Sequence, residues 1–97
     1  MEMIKSAAIK YKRKNSDKEE VVWGSSHSQC IETLACMEVY SILREYETEG
    51  FLTTEGRFVS REEAYDIAKA AGQLSYELPD KQLKSTQVNF SLAYAQA

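Results

Sequence analysis

Apolar and polar positions first alternate and then recur at helical spacing as the chain is followed from its start. From Met3 to Tyr11, Ile4, Ala7 and Ile9 are separated by Lys5, Ser6 and Lys10, which predicts a strand even though Ala7-Ala8 blurs the period. Residues 12–19 are polar, with Asn15-Ser16-Asp17 as turn material, and Glu20 to Gly24 reads as the returning strand of a hairpin. Gly24-Ser25-Ser26-His27-Ser28 then leads into the longest helical pattern, roughly residues 28–49. Ser26, His27 and Ser28 each offer an N-cap group, Ile31, Leu34, Ala35, Ile42, Leu43 and Tyr46 recur at helical spacing, and Gly50 ends the run. Apolar residues outside that stripe suit a helix that packs on the sheet on one side and on a second subunit on the other.

Residues 50–74, GFLTTEGRFVSREEAYDIAKAAGQL, carry most of the local structural specification. Phe51 to Thr54 is a short strand, Thr54-Glu55-Gly56-Arg57 is the turn, and Arg57 to Val59 returns. Ser60 stands three residues before Glu63, the capping-box spacing, and predicts a helix over 61–71 with Ala64, Ile67, Ala68 and Ala71 on one side. Gly72 stops it, because a left-handed residue costs least there. Ser75 to Asp80 holds the only proline, Pro79, and reads as a linker. Beyond it, Val88, Phe90, Leu92 and Tyr94 alternate with polar or small residues, which suits an extended edge segment, an arm clasping a neighbour, or a frayed tail. Together these elements predict a small α+β domain over residues 1–97. A small antiparallel sheet, made of the N-terminal hairpin plus a second short strand pair, packs with one long and one shorter helix, and 75–97 forms a linker and C-terminal arm.

Ninety-seven residues with 43% hydrophobic content allow one modest core, a size at which oligomerisation often adds stability. A net charge of −3 argues against binding to a nucleic acid polymer, which draws on clustered Lys and Arg. The charge is uneven: Lys5, Lys10, Lys12, Arg13, Lys14 and Lys18 crowd the start, and glutamates crowd the middle. Cys30 and Cys36 point in different directions on a helix and are expected to be free thiols. One histidine and two such cysteines do not make a zinc site, and no metal or cofactor is expected. No signal-peptide or membrane-spanning run is present, so the protein is expected to be soluble and to stay inside the cell that makes it.

The segments SAAI at 6–9, Gly24-x-x-His27, and residues 50–74 with the pattern GF-x-T-x-x-GRFV-x-R-x-EA-x-x-IA-x-x-AGQ together resemble a group of short phage proteins, the Thoeris anti-defence sponges of the first described family. The likeness covers residues 4–74. After Leu74 the chain departs, reading Asn89-Phe90-Ser91-Leu92-Ala93-Tyr94 where related chains finish in a short FSEDL-like sequence. The resemblance implies a homodimer or higher homo-oligomer in the host cytoplasm that captures a cyclic ADP-ribose isomer made by a host TIR protein, without cleaving it. It also implies binding of cyclic oligonucleotides at a separate site.

Arg57 and Arg61 lie four apart across the strand-to-helix junction, where a helix start and a guanidinium together make a seat for phosphate; the ordinary reading is an ion pair of Arg61 with Glu62, Glu63 or another surface carboxylate. With the resemblance added, at least one of them is expected on a diphosphate. Phe51 and Phe58 bracket the same turn and offer a face to adenine, although one of them is expected in the core. His27 is either a phosphate or ribose donor or a helix cap. Gln73 either reads a ribose hydroxyl or adenine edge or is solvated. Trp23 is expected in the core or at an oligomer interface. No nucleophile and base are paired, so an enzyme is not expected; the alternatives are a small hydrolase that degrades the nucleotide signal and an adaptor that binds a host protein through the long helix.

Overall fold

The computed structural model describes residues 1–13, 17–40 and 43–94. Among them, four strands and three helices follow one another in the order β1 (Ile4–Arg13), β2 (Glu19–Gly24), α1 (His27–Tyr40), β3 (Leu43–Thr53), β4 (Phe58–Ser60), α2 (Arg61–Ala70) and the short α3 (Ser91–Tyr94). The strands form one antiparallel sheet ordered β2-β1-β3-β4. β1 is therefore central, with β2 on one side through Ile9 opposite Val22 and β3 on the other through Ala7 opposite Phe51. The small α+β architecture expected from the pattern is the one observed.

The blurred period of β1 has a physical cause. Its pairing with β3 slips between Ile4 and Ser6, and this irregularity shifts the alternation so that Ile4, Ala7, Ile9 and Tyr11 all enter the core. Against them pack Val22, Phe51 and Val59 from the sheet, Cys30 and Leu34 from α1, and Ala64, Tyr65 and Ala68 from α2. Cys30 is buried and Cys36 exposed, and both thiols are free.

The long helix is shorter than the pattern predicts. α1 ends at Tyr40, and the residues expected to form its last two turns are the first part of β3, so Gly50 lies within a strand and ends no helix. Glu45, Glu47 and Glu49 recur at every second position, which is a strand period, and pairing with β1 outweighs the helix propensity of the same residues. The predicted contribution of Ile42 lies outside the described residues, as do Asn15 and Ser16 of the first turn. Trp23 is 64% exposed on β2, which places it outside the core of the single chain.

The second hairpin and its helix follow the local signals. Gly56 takes φ 79° in the turn, and Thr53 N–H donates to the Arg57 carbonyl at 2.9 Å. Ser60 Oγ accepts from Glu63 N at 3.1 Å and starts α2 at Arg61. The glutamate half of the capping box differs: the Glu63 carboxylate lies 3.4 Å from the Arg57 guanidinium. Gly72, at φ 72°, turns the chain out of the helix.

The tail is folded back onto its own domain. Leu83 and Val88 are core residues, Leu74 bridges to Val88, and Ser85–Gln87 forms a 3-10 turn. Residues 75–94 thus complete this chain's core instead of running out as an extended arm.

Candidate functional site

A cleft of about 420 Å³ opens where the start of α1, the first residue of α2 and the tail meet. Ser26, His27 and Ser28 form one wall, Gln82, Lys84, Ser85 and Thr86 the other, and Arg61 lies between them. Ser26 caps α1, accepting from Gln29 N at 3.1 Å, and no acidic side chain occupies that helix's first turn. The positive end of a fourteen-residue helix therefore faces the cleft without a carboxylate from its own first turn. The tail wall is clamped to Arg61 in both directions: Leu83 N donates to the Arg61 carbonyl at 3.1 Å, and Arg61 Nη1 donates to the Leu83 carbonyl at 2.6 Å. Burial of Leu83 holds Lys84 and Ser85 in place beside it.

His27 forms the deep wall and is 7% exposed. Its Nε2 lies 2.7 Å from the Gly50 carbonyl, which can only accept, so Nε2 carries the proton and Nδ1 presents a lone pair. Ser85 Oγ, at 2.7 Å, donates to that lone pair while accepting from His27 N at 3.2 Å. Burial holds the imidazole pKa below its ordinary value; the Gly50 bond opposes that shift and the Arg61 charge adds to it. The ring also meets Phe51 edge-on, with centroids 4.9 Å apart.

Arg61 Nη2 lies 2.7 Å from Glu49 Oε1 and 3.5 Å from His27 Nδ1. Lys84 Nζ pairs with Asp80 at 3.2 Å across a half-exposed surface. Ion pairs in such positions contribute little and exchange readily for a better anion. The cleft therefore combines two cations, a helix start and four hydroxyl groups, a set suited to a phosphorylated, hydroxyl-bearing small molecule. The Ser85–His27 contact has the length of a nucleophile–base pair. However, Nε2 is oriented by a carbonyl instead of a carboxylate, and burial beside Arg61 makes the imidazole a poor proton acceptor.

Of the residues singled out from the sequence, His27 and Arg61 come together in this cleft. Arg57 lies elsewhere, with Nε and Nη2 donating to the two Glu2 oxygens at 2.9 and 2.8 Å. Phe58 stands on the other face of the sheet from Val59; its ring covers Gly50 and carries Lys10 Nζ at 4.8 Å from its centroid. Phe51 is fully buried. Gln73 is fully buried as well, and its amide serves as a strand surrogate: Oε1 accepts from Ile4 N at 2.8 Å and Nε2 donates to the Ile4 carbonyl at 2.8 Å. Gln82, Lys84, Ser85 and Thr86 belong to the segment that the sequence predicts as linker and C-terminal arm. The available signal was the polar Lys84-Ser85-Thr86 group set between apolar Leu83 and Val88, the mark of a loop pinned on both sides.

Among the described residues, no group of His, Cys, Asp and Glu could hold a metal ion, and no helix is long and apolar enough to cross a membrane. A model of the phage T4 y16D protein family matches residues 3–90. No curated protein and no solved structure matches the chain.

Proposed function

The chain belongs to the phage T4 y16D protein family, and on that premise we propose that it is an anti-defence sponge acting in the host cytoplasm. In this reading it sequesters a cyclic ADP-ribose isomer made by host TIR proteins and does not cleave it. The observation that supports this most is the cleft at the start of α1, where Arg61, Lys84 and the hydroxyls of Ser26, Ser28, Ser85 and Thr86 converge beside the stretch that carries the sponge resemblance. Its volume of about 420 Å³ falls in the range of roughly 300–1,000 Å³ for small-molecule sites. The diphosphate would lie between Arg61 and Lys84 at the helix start, and the ribose hydroxyls would meet the serine, threonine and Gln82 side chains. No Phe, Tyr or Trp side chain lines the cleft within one copy among the described residues. A second copy, in a homodimer or higher oligomer, would supply the surface on which adenine stacks. Cyclic oligonucleotides, which the resemblance also implies, would occupy a separate site.

Calorimetric titration with cyclic ADP-ribose isomers, followed by heat release and mass spectrometry, tests the reading. The expected result is saturable binding, return of the ligand unchanged, and an affinity about tenfold weaker in Lys84→Ala at unaltered stability, the scale of one charge-assisted hydrogen bond. Absence of binding to every isomer would refute it. A second reading, a hydrolase with Ser85 as nucleophile, rests on the 2.7 Å length of the Ser85–His27 contact alone. Recovery of linear ADP-ribose, abolished in Ser85→Ala, would establish that instead.

A further inference from the structure

β2 ends at Gly24, opposite Ala7, and β1 continues past it towards Lys5 and Ser6. There the tail lies alongside, with the Tyr94 hydroxyl donating to the Lys5 carbonyl at 3.3 Å. A second cleft, of about 240 Å³, opens between them; Lys5, Ser6, Trp23, Phe90 and Tyr94 are among its lining residues. Two features set it apart from an ordinary surface hollow. Trp23 and Tyr94 are 64% and 57% exposed, so two of the large apolar side chains left open to water wall the same small space. Ser6 is 5% exposed, and its Oγ is the one buried side-chain oxygen or nitrogen, among the described residues, without a hydrogen-bond partner. Strand alternation puts it on the same sheet face as Ala8, whose cross-strand neighbour is Trp23. An unpartnered buried hydroxyl lowers stability, and most such groups in folded proteins are satisfied.

We propose that this cleft binds one planar heteroaromatic ring of nucleobase size, stacked on Trp23 and Tyr94 with its polar edge on Ser6 Oγ. The volume is below the usual range for a drug-sized ligand and suits a single ring system. Exposed aromatic rings supply stacking that tolerates any base, because every base has a π-face. The hydroxyl narrows the choice further: an aliphatic or phenyl group would leave Ser6 unpartnered, whereas the donor-acceptor edge of a nucleobase satisfies it. Ser6 Oγ is covered in the free chain, so the ring meets it as the cleft widens, and the Tyr94 side of the cleft is carried on the four-residue α3. Lys5 at the rim meets a 5′-phosphate on the same nucleoside. This site is separate from the cleft at the start of α1 and does not depend on the sponge reading.

Trp23 is the chain's only tryptophan, so its fluorescence reports directly on occupancy. The 97-residue chain is titrated with adenosine, guanosine, cytidine, uridine and their 5′-monophosphates. Saturable quenching with a sub-millimolar dissociation constant is expected for at least one of them. Ser6→Ala is expected to weaken that binding about five- to tenfold while melting at the same temperature or higher, because the hydroxyl it removes has no partner to lose. Tyr94→Ala, on the exposed short helix, is expected to weaken it by a similar factor. The proposal is overturned if none of these compounds quenches saturably, or if either variant binds as the parent does.

Discussion

Replacing Gln73 by leucine separates a structural role from a ligand-reading one. The Gln73 amide accepts from Ile4 N and donates to the Ile4 carbonyl, both at 2.8 Å, and Nε2 also lies 3.4 Å from the Asn89 carbonyl. Leucine matches the side chain in size but offers no polar atom, so the N–H and carbonyl of fully buried Ile4 both lose their partners. Each such loss costs about 1–3 kcal/mol, and some relaxation of the two groups towards each other or water puts the expected total near 3 kcal/mol. A 97-residue domain has roughly 5–15 kcal/mol in all. The loss is thus a large fraction of it and lowers Tm by roughly 12–24 °C. Urea unfolding followed by far-UV circular dichroism measures it, with ligand titration run well below the variant's Tm. A loss under about 1 kcal/mol would refute the strand-surrogate role. Intact stability with lost ligand affinity would show that Gln73 reads the ligand after all.

His27, the only histidine, is expected to titrate below its ordinary value of 6.5 in an NMR pH series. Because the folded value is the lower one, its contribution to stability is complete above about pH 6.5 and is lost as the pH falls below that; a titration at or above 6.5 would contradict the burial argument. Glu2, held at about 2 chiefly by the Arg57 guanidinium, contributes stability that is present above its ordinary 4.5 and lost as the pH falls towards 2. Arg57→Gln should therefore flatten acid unfolding across that window, and superimposable acid titrations of variant and parent would remove the basis for the claim. Gly50→Ala should cost about 1–3 kcal/mol, since its methyl would strike the Val59 carbonyl oxygen and stand 2.7 Å from Phe58 Cζ. The phenyl ring can swing but the ladder carbonyl cannot, so an unchanged urea midpoint would mean that β4 is free to move away.

What could be read without coordinates was the part whose energetics are local. Gly56 and Gly72 take positive φ where a turn and a helix end require it, and Ser60 caps the helix three residues ahead of Glu63. Each of these is decided within about five residues, so residues 50–72 came out close to the structure. The α+β class followed because hairpin and helix periods are likewise short-range. The boundary between α1 and β3 did not follow. Residues 43–49 have both helix propensity and a strand period, and the choice falls to the strand through pairing with β1, whose Lys10 sits opposite Thr48.

The cleft belongs wholly to the tertiary structure. Arg61 reaches His27 across 34 positions and Ser85 reaches it across 58, while Gln73 spans 69 to Ile4. Arginine, histidine and serine pair as readily with water or with a near neighbour, so their identity alone did not select these partners. Burial of Leu83 and Val88 in the shared core brings the tail back and sets Ser85 against His27. Local backbone and capping energies thus determined the elements, while the closing of the core decided which polar groups face one another.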